Sequence, residues 1–233
     1  MRVRPSKRSC FYANQAGLPP AATMYNLFGF ARKKPSSGRI DGEGVYLRPA
    51  VMGDFEPWRR LRGASRAFLT PWEPTWPPDD LTRPAFQRRI LRHDDERARD
   101  EAYSFLIFRA ADDALLGGIT LGNLRRGVAQ CGTLGYWMGE NHAGQGFMAK
   151  AARALLRHAF VDMRLHRVEA ACAPNNERSR RLLERLGFQR EGYARAYLLI
   201  DGAWQDHLLF AMLESDFLRE ESSSSDLASQ FRQ

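Results

Sequence analysis

The sequence has few cysteines and no long apolar run. Its 233 residues include three cysteines, Cys10, Cys131 and Cys172, which lie far apart and form no CxxC pair. This spacing excludes the usual zinc and redox motifs, so we expect no metal. Unpaired cysteines in a chain long enough to bury a full core favour a reducing compartment, and we expect a cytoplasmic protein. No run of about 18 apolar residues is present, so we expect no membrane-spanning segment.

Acidic residues are absent from the first 23 positions. Residues 1–44 carry eight basic and two acidic side chains, a net +6 of the chain's +8, which leaves the remainder nearly neutral. A basic tail on a neutral body favours approach to a polyanion such as a ribosome, but it does not supply the basic groove of a specific nucleic-acid binder. The first 23 residues faintly resemble a transit peptide, and translation from Met24 is the alternative. We expect residues 1–44 to form a mostly disordered extension.

Apolar periodicity predicts one domain over residues 45–218. The predicted order is strand, helix, helix, three strands, helix, strand, helix and two strands. This order predicts an α+β fold, with a mixed sheet that carries helices on both faces. The last two strands form a predicted hairpin, because Asp201-Gly202 separates two apolar-rich runs. Residues 219–233 include four consecutive serines and are predicted to be a disordered tail.

A proline-rich segment follows the first predicted helix. Residues 70–80 read TPWEPTWPPDD, and their four prolines exclude a helix or a central strand. We therefore expect an ordered loop or a lid. Trp72 and Trp76 would either wall off a binding site or anchor this loop to the core.

Two nearby glycines, Gly144 and Gly146, lie where a predicted strand gives way to the helix predicted from about Gln145 to Asp162. A glycine-rich turn before a helix is typical of phosphate binding, because the first helical N–H groups lack partners and the N-terminus carries partial positive charge. The dinucleotide pattern GxGxxG fails at Ala149, and the P-loop pattern fails at Phe147. Neither nucleotide motif therefore accounts for the turn.

The turn instead resembles that of the GNAT superfamily of N-acetyltransferases, whose pattern is Gln/Arg-x-x-Gly-x-Gly/Ala. Residues 141–146 read NHAGQG and depart from this pattern at Asn141. The segments HRVEA, PNNERSRRLLERLGF, REGYARAYLLIDGAWQDHLLFAML and PWEP are similar to the RimJ/RimL group of ribosomal-protein N-acetyltransferases, and the RimJ type most closely. The resemblance covers nearly all of residues 45–214.

This resemblance implies a GNAT fold and acetyl-CoA as the co-substrate. The pantetheine arm would pair with a strand edge opened by the splaying of residues 168–173, and backbone amides would wrap the pyrophosphate. The residues implied in coenzyme binding are Tyr136, Trp137, Met138, His142, Ala143, Gly144, Gln145, Gly146 and Asn176. Asn176 would also serve as a helix cap. Ser179 would protonate the leaving thiolate, although a thiol with a pKa near 8.5 needs little help.

The acetyl acceptor must be a neutral amine. An α-amine with a pKa near 8 is roughly one-tenth neutral at pH 7, whereas a lysine side chain near 10.4 is neutral well below one part in a thousand. An N-terminal acetyltransferase therefore needs only a modest base. Some relatives place a carboxylate directly before the YL of the last hairpin, where this sequence has Ala196. Glu73 of the proline-rich segment is then the first candidate base, with a bound water as the alternative; Tyr197 would line the acceptor side.

The resemblance implies transfer of acetyl to the N-terminal amine of a protein. The acceptor that it implies is the N-terminal alanine of a small-subunit ribosomal protein. The partner would be that N-terminus or the ribosome, and the enzyme a monomer or homodimer. Direct attack in a ternary complex is expected, because no cysteine lies in the predicted site segments. Two alternatives stay open: a GNAT enzyme for a small amine such as a polyamine or antibiotic, and a ribosome-assembly factor with incidental catalysis.

Overall fold

A computed structural model describes residues 38–230 and the side-chain surroundings up to residue 222. Its strands form one mixed sheet in the order β1-β2-β3-β4-β5-β6-β8-β7. Neighbouring strands are antiparallel except β5 and β6, which are parallel. The strands are β1 (Ile40–Gly42), β2 (Val45–Arg48), β3 (Tyr103–Arg109), β4 (Leu115–Arg125), β5 (Cys131–Met138), β6 (Arg167–Cys172), β7 (Gln189–Ile200) and β8 (Ala203–Leu213).

Helices connect most of the strands. They are α1 (Phe55–Ala64), α2 (Arg66–Leu69), α3 (Arg83–Ala98), α4 (Phe147–Arg157), α5 (Glu177–Arg185) and α6 (Glu214–Gln230). Side chains cap two of these helices: Thr82 accepts from the N–H of Ala85 at α3, and Asn176, the predicted cap, accepts from the N–H of Ser179 at α5. Among the described residues, no helix has the length and apolar character needed to cross a membrane.

The sheet is buried on both faces. In β3, Phe105 and Ile107 belong to one buried cluster, whereas Leu106 and Phe108 belong to a second. Successive side chains of a strand point to opposite faces, so the two clusters lie on opposite sides of the sheet. We call these sides the α4 face, which α4, α5 and α6 cover, and the α1 face, which α1 and α3 cover. The predicted α+β fold with helices on both faces is confirmed.

The ordered domain extends beyond the predicted boundaries at both ends. Residues 40–42, predicted to be part of a disordered extension, pair with β2 through a two-residue turn in which Gly44 has φ +69°. The predicted tail from 219 is helical through Gln230, because Phe217 packs on Phe160 and Glu221 forms ion pairs with Arg153 and Arg157. Both elements carry too few apolar residues for periodicity to reveal them. The prediction for residues 1–37 lies outside the described residues.

Candidate active site

The parallel strands β5 and β6 begin as neighbours and then separate. Their pairing runs from Cys131 opposite Arg167 to Leu134 opposite Ala170. Beyond this point β5 pairs only with β4, up to Met138, and β6 pairs only with β8. The β6-facing edge of residues 135–138, which includes the predicted Tyr136 and Trp137, therefore has no strand partner in the described part of the chain. The predicted splay is confirmed, and the open edge can receive an extended chain of amides.

The glycine turn lies between the end of β5 and the start of α4. Gly144 has φ +78°, and Gly146, the residue before α4, has φ +82°. A Cβ at either position would meet no atom within 4 Å, so the need for glycine comes from the left-handed backbone alone. The side-chain Nε2 of Gln145 donates to the carbonyl of Asn141 at 2.8 Å and holds the turn together. Asn141 thus stabilises the turn through its backbone carbonyl.

The amides that this turn offers begin at Gly144. The N–H groups of His142 and Ala143 donate to the carbonyls of Gly139 and Glu140, at 2.9 and 3.1 Å. No side chain caps α4, so the N–H groups of its first turn keep their capacity for an anion, which the helix dipole also favours. Among the described residues, the amides left available to an anion are therefore those of residues 144–146 and of the first turn of α4, whereas the amides of His142 and Ala143 are used within the turn.

Three side chains, those of Tyr136, Ser179 and Cys172, meet where the strands part. The hydroxyls of Tyr136 and Ser179 lie 2.7 Å apart, and the N–H of Ser179 donates to the Oδ1 of Asn176 at 3.1 Å. Burial raises the pKa of the Tyr136 phenol, which keeps it a neutral hydrogen-bond donor at physiological pH. The third member is Cys172, whose thiol also contacts Ser179.

Sequence reasoning missed Cys172 at this position. The residue lies on β6, the strand predicted to splay, but it is not one of the predicted site residues, and only the fold brings it to Ser179. Burial raises the pKa of the Cys172 thiol, so it stays protonated and is a poor nucleophile. These properties argue against an acetyl-cysteine intermediate. In the described part of the chain, no group of three or more His, Cys, Asp and Glu side chains could hold a metal ion.

The proline-rich loop is fixed by an ion pair between Glu73 and Arg62, which we call the Arg62 clamp. The two oxygens of Glu73 accept from the two terminal nitrogens of Arg62 at 2.8 and 2.9 Å, and the indole N–H of Trp76 donates to one of them at 2.8 Å. The guanidinium lies 4.1 Å from the ring centre of Trp76 and 4.9 Å from that of Trp137. Trp76 is buried and anchors the loop, whereas Trp72 is half-buried.

The contacts of Glu73 bear on its candidacy as the general base. A carboxylate has about four acceptor sites, and three of them are used within the Arg62 clamp. The backbone carbonyl of Glu73 also accepts from the N–H of Asp201, at 3.0 Å, which ties the loop to the turn of the β7–β8 hairpin. This arrangement favours a structural role for Glu73 over proton transfer.

The β7–β8 hairpin contains a bulge next to the site. The register moves from Ala194 opposite His207 to Leu198 opposite Gln205, so β7 carries two extra residues there. The carboxylate of Asp206 stabilises the bulge by accepting from the N–H of Ala196 at 2.7 Å and from the hydroxyl of Tyr193. The bulge places the ring of Tyr197, which is 47% exposed, edge-on at 5.8 Å from the ring of His207.

A split sheet beside an uncapped helix that starts at a left-handed glycine is the architecture of an acyltransferase. Residues 45–189 match the family described as acetyltransferase (GNAT) domain, and the chain belongs to this family. The resemblance seen in the sequence is thereby confirmed, and the protein is an N-acetyltransferase. Its named relatives narrow the class further.

Two relatives match the chain over nearly their whole length. The chain is 36% identical over 177 residues to the probable N-acetyltransferase YjcK of Bacillus subtilis. The aligned region covers 76% of this chain and 98% of YjcK. The chain is 33% identical over 193 residues to the [ribosomal protein uS5]-alanine N-acetyltransferase of Escherichia coli, with coverage of 82% and 98%. A solved structure, Mycobacterium smegmatis RimJ in complex with CoA-disulfide, is 32% identical, with a TM-score of 0.73 and coverage of 77% and 88%. The protein is therefore related to the ribosomal-protein N-acetyltransferases.

Proposed function

We propose that this protein transfers acetyl from acetyl-CoA to the N-terminal amine of a ribosomal protein in the cytoplasm. The proposed acceptor is the N-terminal alanine of a small-subunit ribosomal protein. The observation that carries the proposal is the parting of β5 and β6 after Leu134, with Tyr136 and Ser179 hydrogen-bonded at the opening. The Escherichia coli relative, named for the alanine of uS5, supports the choice of acceptor.

The coenzyme would run from the glycine turn into the opening between the strands. Its pyrophosphate would accept hydrogen bonds from the amides of residues 144–146 and of the first turn of α4. Its pantetheine amides would pair with the open edge of residues 135–138, which takes in Met138 and Trp137. Asn176 uses Oδ1 to cap α5, which leaves its side-chain NH2 for the coenzyme, so the two predicted roles of Asn176 are compatible. The relative solved with CoA-disulfide supports this assignment of the coenzyme.

The acceptor would approach from the α1 face, because the glycine turn and the Tyr136–Ser179 pair occupy the α4 side of the opening. On that face the Arg62 clamp contacts Trp137, and Tyr197 packs against His207, so these side chains would line the path of the acceptor. The amine nitrogen attacks the thioester carbonyl directly, the C–S bond breaks, and the leaving thiolate takes a proton from Ser179. The neutral phenol of Tyr136 is hydrogen-bonded to the Ser179 hydroxyl, so it orients this hydroxyl or returns a proton to it.

Replacing Ser179 with alanine tests this proton donor. We expect kcat to fall about tenfold, less than the 10²- to 10⁴-fold of full general acid catalysis, because a thiol leaves readily. The KM for acetyl-CoA should change little in steady-state assays. Ser104→Ala is the matched control, since its hydroxyl pairs with that of Thr120 at 3.0 Å and it lies on β3, two strands from β5. An unchanged kcat in Ser179→Ala would remove Ser179 from the mechanism.

The acceptor is tested by intact-mass analysis of ribosomal proteins from cells lacking this protein. The proteins are measured before and after incubation with purified enzyme and acetyl-CoA. We expect one small-subunit protein to gain a single acetyl group, mapped to its N-terminal alanine. Clear coenzyme binding without any mass gain would contradict the proposed acceptor and favour a small amine. A site variant that lost acetylation but retained an effect on ribosome assembly would favour an assembly factor.

A further inference from the structure

We infer that His207 is the general base that takes the proton from the acceptor amine. The inference rests on the proposed function, because it assigns a residue to the same acetyl transfer. His207 lies on β8 and is 4% exposed; it belongs to a segment that carries the family resemblance, but that resemblance assigns it no role. Three independent features of its position support the assignment: the face it occupies, the nitrogen it leaves open, and the bulge beside it.

The strand register places His207 on the face from which the acceptor would approach. Cys172 of β6 lies opposite Leu208 of β8, and both side chains belong to the cluster of the α4 face. The neighbouring His207 therefore points to the α1 face, as Trp137 does. Adjacent strands lie about 4.8 Å apart, so His207 is one strand spacing from the end of β6, the wall of the opening.

The hydrogen bonding of His207 leaves the correct nitrogen for a base. Its Nδ1 lies 3.0 Å from the carbonyl oxygen of Gln205. A carbonyl oxygen only accepts, so Nδ1 carries the hydrogen, and in the neutral ring Nε2 then holds a lone pair. Among the described residues, Nε2 has no hydrogen-bond partner. Glu73, by contrast, already uses three of its acceptor sites within the Arg62 clamp.

The groups around His207 hold it without occupying Nε2. On β7, Ala194 lies directly opposite and the ring of Tyr197 packs edge-on against the imidazole. On β8, the adjacent carboxylate of Asp206 is directed to the bulge, and Arg195 of β7 lies near that carboxylate. The neighbouring end of β6 contributes the small residues 171 and 173, which carry no charge. Asp206 and Tyr197 are thus ionisable groups that interact with the imidazole, and Arg195 acts on it through Asp206.

The proposed proton transfer balances with the acetyl transfer. The acceptor loses one proton to solvent and reacts as the neutral amine. Its lone pair forms the C–N bond and Nε2 takes the proton that the nitrogen then loses, while the C–S bond breaks with its electron pair on sulfur. The thiolate takes up one proton through Ser179, and the imidazolium returns its proton to solvent. Two protons thus leave the nitrogen and one is taken up by sulfur, so one proton is released for each α-ammonium that is acetylated.

The test is the pH dependence of His207→Asn, since asparagine keeps an N–H donor near Gln205 but has no group at Nε2. With an N-terminal alanine peptide as acceptor, we expect kcat/KM to fall about 100-fold, the low end for general base catalysis. On the acidic side, log kcat/KM of the wild type should approach a slope of two, because both imidazole and amine must be deprotonated. In the variant, the slope should fall to one. Binding of coenzyme A, measured by calorimetry, should not change.

His93→Asn on α3 is the matched control and should retain the wild-type rate and slope. His207→Gln serves as a second variant if His207→Asn does not fold, and the same loss of rate and slope is expected of it. A wild-type rate and slope in a folded His207 variant would overturn the inference while leaving the proposed function intact. A wild type that binds coenzyme A but acetylates no N-terminal peptide would instead overturn the proposed function.

Discussion

Replacing Gly146 with valine is expected to weaken coenzyme A binding by about 100-fold. Gly146 has φ +82°, a conformation that costs a β-branched residue roughly 1–3 kcal/mol, so the turn would relax to negative φ. This relaxation would change the direction of the N–H groups of residues 144–146, so that they would no longer point at the pyrophosphate. Losing two amide hydrogen bonds to phosphate, at about 1.5 kcal/mol each, corresponds to about 3 kcal/mol, or a 100-fold change in the dissociation constant. Calorimetric titration with coenzyme A measures it directly.

Gly127→Val separates this effect from backbone strain. Gly127 lies in the turn between β4 and β5 with φ +66°, and a Cβ there would also meet no atom within 4 Å. The two variants should therefore lose similar amounts of thermal stability, while only Gly146→Val loses affinity for the coenzyme. Equal affinity in the two variants would show that the turn does not bind the pyrophosphate.

The elements that the sequence predicts well are those with a strong local pattern. The apolar face of α4, the Asn176 cap and the Asp201-Gly202 hairpin each depend on residues within a few positions of one another, and each is present. β1 and α6 lack such a pattern, because each carries few apolar residues and owes its stability to the element that it packs on. β1 is three residues long and depends on β2, and α6 depends on the packing of Phe217 on Phe160.

The same distinction applies to the site. The glycine turn was recognised because its chemistry is contained in six consecutive residues. The contacts of Cys172 with Ser179 and of Arg62 with Glu73 join segments that are separate in the sequence, and they follow from strand register and loop packing. The position of His207 depends on the sheet as well, because only the pairing of β6 with β8 shows which face of the sheet it occupies. No pattern along the chain carries that information.

Replacing Arg62 with methionine is expected to destabilise the protein by about 3 kcal/mol or more, because removing one partner of a buried ion pair leaves the other charge uncompensated. Arg62 is 6% exposed and Glu73 would keep only the indole of Trp76 as a donor. For a domain of this size the loss corresponds to a melting temperature about 6–12 °C lower. Because the Arg62 clamp fixes the proline-rich loop beside Trp137, the KM for the acceptor peptide should rise while coenzyme binding stays unchanged.

Three comparisons make this prediction specific. Arg59→Met removes an exposed ion pair with Glu56 one helical turn away and should cost less than about 0.5 kcal/mol. The double variant Arg62→Met/Glu73→Gln should recover part of the lost stability, because the uncompensated carboxylate is gone. The variant Glu73→Gln alone should be less stable, because in the wild type the Glu73 carboxylate holds the loop. It should retain the acidic slope of the pH–rate profile, because His207 takes the proton. A stable Glu73→Gln variant that lost this slope would reverse those two roles and make Glu73 the base.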